Sequence, residues 1–528
     1  MTIVSLKFLA FIAIVSLIYF IMPKKIRWIV LLLASYAYYF ISSKALTGYL
    51  LVTTISIYLV AVGLEKVDIK LKKECEGKEK QQKKELKKKA KKRKKLLILM
   101  AILVNFGILV FLKYCNFLSE NINRFFDLIK VNYELPLRTI VLPLGISYYT
   151  LQAISYVVDV YRGKYKPEKN IFKVALFLSF FPQMLEGPIG RFEDLSHQLC
   201  EPHEFDYNRI KFGMQLMLWG FFKKMVIADR AGIYVNEVFN NYSNYSGIVI
   251  VVAVILYTIQ IYADFSGCID IVRGTSQIFG VNLAENFKRP FFSKNIQEFW
   301  RRWHITLGAW LREYIFYPIS FSKVCMNLTV KSKKIFKGHI GSLIPAAFSL
   351  FFVWFVNGIW HGASWKYIFY GLYYYILTMI GMLFEPLFEK IINKLKINVN
   401  SFSYRLWQMI RTTAIVLVGM LIFRASSLKT AGVIFKSMFT FKNIGKLFNG
   451  ELFKIGITSG DFIIVVIGVV IMFVVSLLQE KGVNIREKIS KQDIVFRWIL
   501  YYGIIFTIII FGIYGAGYDA SSFIYGQF

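Results

Sequence analysis

The chain has 528 residues, of which 56% are hydrophobic, 17% aromatic and 18% charged, and its mean hydropathy is +0.50. A soluble chain carries about 25% charged residues, so the composition excludes an array of ordinary soluble domains, and apolar blocks recurring from end to end read as one membrane domain. The net charge of +33 invites a nucleic-acid reading. That reading is rejected as the primary one, because the basic residues sit in one dense segment and in short clusters between apolar runs, the pattern of loops held on the cytoplasmic side of an anionic membrane.

A spanning helix needs about 20 mostly apolar residues. In chain order the runs predict spans near 3–22, 27–42, 45–64, 96–118, 139–160, 171–186, 211–228 and 246–265. The later half adds runs near 343–360, 366–386, 407–424, 461–479 and 496–516. The fold class expected is an all-α polytopic membrane protein with about 11–13 transmembrane helices and some re-entrant or interfacial ones. The first run, Ile3 to Ile21, lacks a basic leader and a small-residue cleavage site, and reads as a retained helix. The chain divides into N-terminal spans (1–65), a basic loop (66–95), a core (96–390) and C-terminal spans (391–528). The stretch 427–460 is less apolar and reads as a loop or an interfacial helix.

The run KKKAKKRKK at Lys87–Lys95 should stay cytoplasmic. Counting back through three spans puts the turn Pro23–Arg27 inside as well, and the N-terminus outside. Interleaved Glu74, Glu76, Glu79 and Glu85 make the loop compatible with a helical hairpin leaning on anionic lipid. A partner or nucleic-acid site is the alternative.

Cys75, Cys115, Cys200, Cys268 and Cys325 are scattered and odd in number, which disfavours a disulfide framework or a zinc site. There is no GxSxG elbow, HExxH pair or GxxxxGK[ST] loop, so a serine hydrolase, a metal centre and an ATPase engine are disfavoured. Of five histidines, His197, His203 and His339 lie in polar stretches. His361 ends the run SLFFVWFVNGIWHGASW, and His304 lies within QEFWRRWHITLGAWLREYIFYPI. An ionisable group at bilayer depth is costly unless paired or wet, and is a functional candidate by default. His361 reads either as a helix-end residue at the interface or as a general base. Gly358 and Gly362 strip side chains from around it, leaving room for a substrate or a second backbone. Asn357 reads as a donor to a developing oxyanion or as a helix–helix hydrogen bond.

Read as one helix, the second segment spaces Glu298 and Arg302 four apart, and gathers Trp300, Arg301 and His304 on one face. Such a face suits an anionic ligand, or else an interfacial helix with snorkelling arginines. Asp264 in YADFSG and Glu186 in FPQMLEGPIGR are two more polar groups near apolar runs. The second sits in a Pro/Gly breaker, which membrane tolerates only where it is buried in protein or lines a cavity. Trp303 and Trp360 complete the candidates for a substrate tunnel.

At these residues the chain resembles a known family. Glu285–Ile319 and Asn357–Tyr374 look like the two signature segments of the membrane-bound O-acyltransferases, most of all the bacterial alginate O-acetyltransferase type. Leu142–Gly163, Phe180–Leu195 and Tyr262–Gly274 look like further segments of that branch, while the basic loop departs from it. The resemblance implies a ring of helices around a central tunnel, with His361 as the essential histidine and His304 as the second. It implies acetyl transfer from a cytoplasmic thioester, acetyl-CoA or an acyl carrier protein, with no tightly bound cofactor. The acceptor would be an extracellular polysaccharide, reached directly or through an extracellular acetyltransferase partner protein. The plasma membrane is the expected location. D-Alanyl transfer to teichoic acid is the neighbouring alternative, and a transporter or export scaffold without chemistry is the alternative of another class.

Overall fold

The computed structural model describes residues 2–184, 187–440 and 445–514. Among them the chain is helical, with no strand and one isolated bridge between Phe287 and Trp303. Eight helical stretches are long and apolar enough to cross a membrane, the first of them, Lys24–Cys75, containing the two helices Arg27–Ser43 and Thr47–Cys75. The protein is an all-α, multi-pass membrane protein.

Most expected spans appear within a few residues, and the departures have local causes. The run at 45–64 extends into Thr47–Cys75, and that at 96–118 into the 49-residue helix Lys80–Leu128. Lysine and glutamate are good helix formers, so polar sequence continues each helix beyond its apolar part. The run at 139–160 starts its helix only at Ile146, after Pro143 and the left-handed Gly145. The run at 171–186 breaks after Ser179, and a short helix Phe181–Met184 follows with Pro182 in its first turn. The stretch 427–460 contains the short helix Leu428–Ser437.

The chain forms two compact units, residues 1–214 with 272–284, and residues 215–271 with 285–528. In the first, Thr47–Cys75 and Lys80–Leu128 pair antiparallel. Asn105 Nδ2 donates to Ser56 Oγ at 3.0 Å, Leu97 covers Gly63, and Lys94 Nζ meets Asp68 at 2.8 Å. A hydrogen bond like that of Asn105 is worth about 0.6 kcal/mol between helices in lipid. Outside the spans, Lys24 beside Glu204 holds that carboxyl below its ordinary range. The Pro/Gly breaker is buried on both sides of residues 185–186, and Phe181 N–H donates to Ser35 Oγ. Glu186 itself lies outside the described residues.

The helix from Tyr207 to Asn240 widens, in its part within the second unit, to π-helical turns at Phe222–Ala228. The widening places adjacent lysines against carboxylates of helix Ile248–Ile278. Lys223 Nζ meets Asp270 at 2.7 Å and Ser266 Oγ at 2.9 Å. Lys224 Nζ, 2% exposed, meets Asp229 and Asp264 at 2.7 Å each. Breaking a buried ion pair costs about 3–5 kcal/mol, well above any single neutral interhelical hydrogen bond. These pairs are therefore the main polar fastening of the two helices.

Candidate active site

Both histidines sit where helices break. Asn295 caps the helix Ile296–Arg302, its side chain accepting from Glu298 N–H, and Glu298 pairs with Arg302 at 2.8 Å, the four-residue spacing expected. The single helix expected through His304 does not form. Trp303 is extended and His304 adopts φ +48° before the helix Ile305–Leu311. The cause is a partner segment 14 to 20 residues upstream. Lys288 N–H donates to Arg302 O, Ile305 N–H to Asn286 O, and Thr306 N–H to Asn286 Oδ1. A left-handed histidine is unusual and is held only where surroundings over-determine it.

That bond from Thr306 N–H fixes Oδ1 as the oxygen of the Asn286 amide. His304 Nδ1 lies 3.2 Å from the same oxygen and must carry the proton there. His304 is 1% exposed, with Phe265 at 4.9 Å and Trp360 at 5.3 Å between ring centroids. It lies between short helices, outside the spanning ones. Burial pushes its pKa down to about 3, so the ring is neutral at physiological pH, with the lone pair on Nε2.

His361 is the last residue of the helix His339–His361 and is 2% exposed. Its ring packs against Trp360 at 5.0 Å, Phe423 at 5.3 Å and Tyr370 at 5.7 Å. The Trp360 indole therefore touches both histidines. The glycines around His361 admit a second backbone. A Cβ on Gly358 would strike the carbonyl of Tyr367, and one on Gly371 the carbonyl of Trp354, so helix Trp365–Lys394 lies flush against its neighbour.

A cavity of about 450 Å³ opens beside His304, lined among others by Trp300, Arg301, His304, Trp354, Asn357 and Thr378. His361 and Trp360 are not in its lining, and His361 is linked to it through the Trp360 ring that touches His304. Trp300 Nε1, Asn357 Nδ2 and Thr378 Oγ1 are buried there without a hydrogen-bond partner among the described residues. All three can donate, so the residues lining the cavity supply several donors alongside the neutral imidazole of His304. A second cavity of about 620 Å³ shares Gln297 and Thr378 with the first. It follows helix Trp365–Lys394 to Ile392, near the basic turn Lys390–Lys396.

Of the residues singled out from sequence, the structure brings Trp300, Arg301, His304 and Asn357 to the cavity, with Trp360 joining the two histidines. Trp303 instead packs in the core against Phe287 and Phe299. Asp264 sits in the lysine network. Thr378, Asn286 and Phe423 were not singled out. Each lies in a sequence stretch whose meaning depends on a distant partner.

Two enclosed histidines at helix breaks, with a donor-lined cavity beside one of them, form a candidate site within a multi-pass α-helical membrane protein. Residues 168–327 match the model of the membrane-bound O-acyltransferase family (MBOAT). The matched range takes in His304 and ends before Asn357 and His361. The chain is 32% identical over 345 residues to a probable alginate O-acetylase of Pseudomonas syringae pv. tomato, covering 65% of this chain and 60% of that one. It is 31% identical over 301 residues to the peptidoglycan O-acetyltransferase of Helicobacter pylori, covering 52% and 53%. It is 29% identical over 253 residues to the teichoic acid D-alanyltransferase of Bacillus subtilis, covering 46% and 59%. The chain thus spans under two thirds of the length of these relatives.

Proposed function

We propose that the protein is an O-acyltransferase that moves an acetyl group from a thioester donor to the hydroxyl of an exported polysaccharide. The observation that carries this reading is the donor-lined cavity beside the His304–Trp360–His361 cluster. His361 is the base. It takes the acceptor hydroxyl proton as the oxygen attacks the thioester carbonyl. The carbonyl electrons move to oxygen, and Asn357 Nδ2, with Trp300 Nε1 or Thr378 Oγ1, donates to the oxyanion. Collapse restores the carbonyl, breaks the C–S bond, and the thiolate takes the proton from the His361 imidazolium. Neutral His304 accepts at Nε2 and orients the acceptor hydroxyl.

The donor enters by the second cavity. Its mouth lies near Lys390, Lys394 and Lys396, and basic turns stay cytoplasmic. In this reading the protein sits in the plasma membrane with the 66–95 loop inside and the N-terminus outside.

The test compares O-acetyl content of exported polysaccharide in wild-type, His361→Ala and His304→Ala strains, with membrane levels matched by immunoblot. Loss of acetyl ester in His361→Ala and partial loss in His304→Ala are expected. Unchanged acetylation in both overturns the reading. The likeness to a D-alanyltransferase supports a second reading, D-alanyl transfer to teichoic acid. Mass spectrometry of wall polymers from a deletion strain separates the two by which ester disappears.

A further inference from the structure

We infer that the outer part of the basic hairpin is a docking arm for an acidic, soluble acyl-carrier protein that delivers the thioester. This rests on the acyl-transfer reading above.

Residues 66–95 hold fifteen lysines and Arg93 against five acids. They extend the helices Thr47–Cys75 and Lys80–Leu128, which run on from their apolar parts without a proline or a break. At 1.5 Å per residue, Lys80 lies about 24 Å beyond Leu96, the first residue of the apolar stretch. Headgroups reach only about 5–8 Å past the hydrocarbon, and screening ends attraction about 8 Å further on. Lys91 to Lys95 are thus within reach of lipid. Lys78, Lys80, Lys83 and Lys84 are beyond it, and Lys87 to Lys89 stand at its margin. The segment 78–89 holds seven lysines against Glu79 and Glu85.

On this arm Lys83, Leu86, Ala90 and Lys94 form the inward stripe, and the other residues from Lys80 to Lys95 are exposed. The outer face is therefore charge without an apolar anchor. Such a surface raises encounter rates and gives little residence time. Those are the kinetics a carrier needs when it must leave after each transfer. The cations are almost all lysine, flexible point charges that meet carboxylates without a fixed geometry. An acidic protein surface is favoured over a nucleic acid because the reaction proposed above needs a partner that arrives loaded and leaves after each transfer.

The experiment uses the full chain in nanodiscs of zwitterionic lipid. Compared are wild type, Lys80/Lys84/Lys87/Lys88/Lys89→Gln, the same five positions →Arg, and a membrane-proximal set, Lys91/Lys92/Lys95→Gln. Binding of acetylated acyl carrier protein is measured at low and high salt, with thiol release from that donor and from uncharged acetyl-pantetheine. The distal Gln variant should bind the carrier at least 10-fold more weakly at low salt and match wild type at high salt. The Arg and proximal variants should bind as wild type does. Thiol release from acetyl-pantetheine should be equal in all. Equal carrier binding by wild type and the distal Gln variant overturns the proposal. So does a dependence on these lysines seen only with duplex DNA or anionic vesicles. If neither donor releases thiol, the acyl-transfer reading fails, while carrier binding still judges the arm.

Discussion

At the scale of single residues, the site pairs one enclosed acceptor with several enclosed donors. If Asn357 holds the oxyanion, Asn357→Ala should lower kcat about 100- to 1,000-fold and leave donor KM nearly unchanged, in thiol-release kinetics. A drop in affinity with kcat intact would make Asn357 a binding residue instead. His304 yields a stability prediction. Its folded pKa is about 3 and its unfolded value about 6.5, so the unfolded chain binds the extra proton between those pH values. Its contribution to stability is complete above pH 6.5 and is lost as pH falls, by at most about 1.4 kcal/mol per unit. Thermal unfolding in detergent should show part of that acid sensitivity vanish in His304→Gln; an identical pH slope would refute the assignment. His361 and His304 were legible because an imidazole among tryptophans is rare in an apolar run. Thr378 was not, because YYYILTMIGM reads as plain lipid-facing helix until Trp300 and Asn357 are known to share its cavity. The turn at His304 was equally hidden, since the atom that bends it belongs to Asn286.

At the scale of elements, apolar runs fixed helix positions well and helix ends poorly. Length came from the hydrophobic stretch, but the ends came from helix-forming lysines at 66–95 and from Pro143 and Gly145 before Ile146. The glycines near His361 had two sequence readings, substrate access or close backbone approach. Gly358 follows the second, with Gly371 opposite it doing the same, while Gly362 makes room for the Tyr367 ring. This close approach carries a cost if altered. Gly358→Leu would drive a side chain into the Tyr367 carbonyl and pry apart the hairpin that carries His361. Overpacking of this kind costs about 1–3 kcal/mol. A lowered melting temperature in detergent, with reduced acetylation in cells, is expected, and unchanged melting would mean the two helices are not held at this distance. The lysine network is the other fastening. Lys224→Met leaves Asp229 and Asp264 buried without their shared cation, and should destabilise the fold by about 3–5 kcal/mol. The double change Lys224→Met with Asp264→Asn should recover part of that loss, because it removes one of the stranded charges.

At the scale of the whole molecule, the excess of +33 is an orientation signal, and it makes a claim that the separate helices do not. Positive charge resists translocation, so each short basic turn should face the cytoplasm. The clusters at Lys78–Lys95, Lys331–Lys337, Lys390–Lys396 and Lys481–Lys491 all follow or precede long apolar helices. The helix Lys80–Leu128 carries the chain across once, which puts the exposed stretch after Leu128 on the opposite side from the hairpin. That stretch is unusual, since it runs extended beside the helix. Asn123 and Asn116 each hold it with a donor and an acceptor, on Leu135 and on Arg138. Seven helical residues and three extended ones both span about 10 Å, so the two amides match the extended stretch in register. Single cysteines in a cysteine-free chain test the orientation directly. Lys78→Cys, Lys337→Cys and Lys481→Cys should react with an impermeant maleimide only after the cells are opened, and Asn132→Cys should react in intact cells. Labelling of Lys78→Cys in intact cells would reverse the membrane orientation and put the hairpin out of reach of any cytoplasmic carrier. Basic turns labelled from opposite sides would show instead that charge alone does not set the direction of these helices, and the path assigned to the donor would have to be redrawn from the other end of helix Trp365–Lys394.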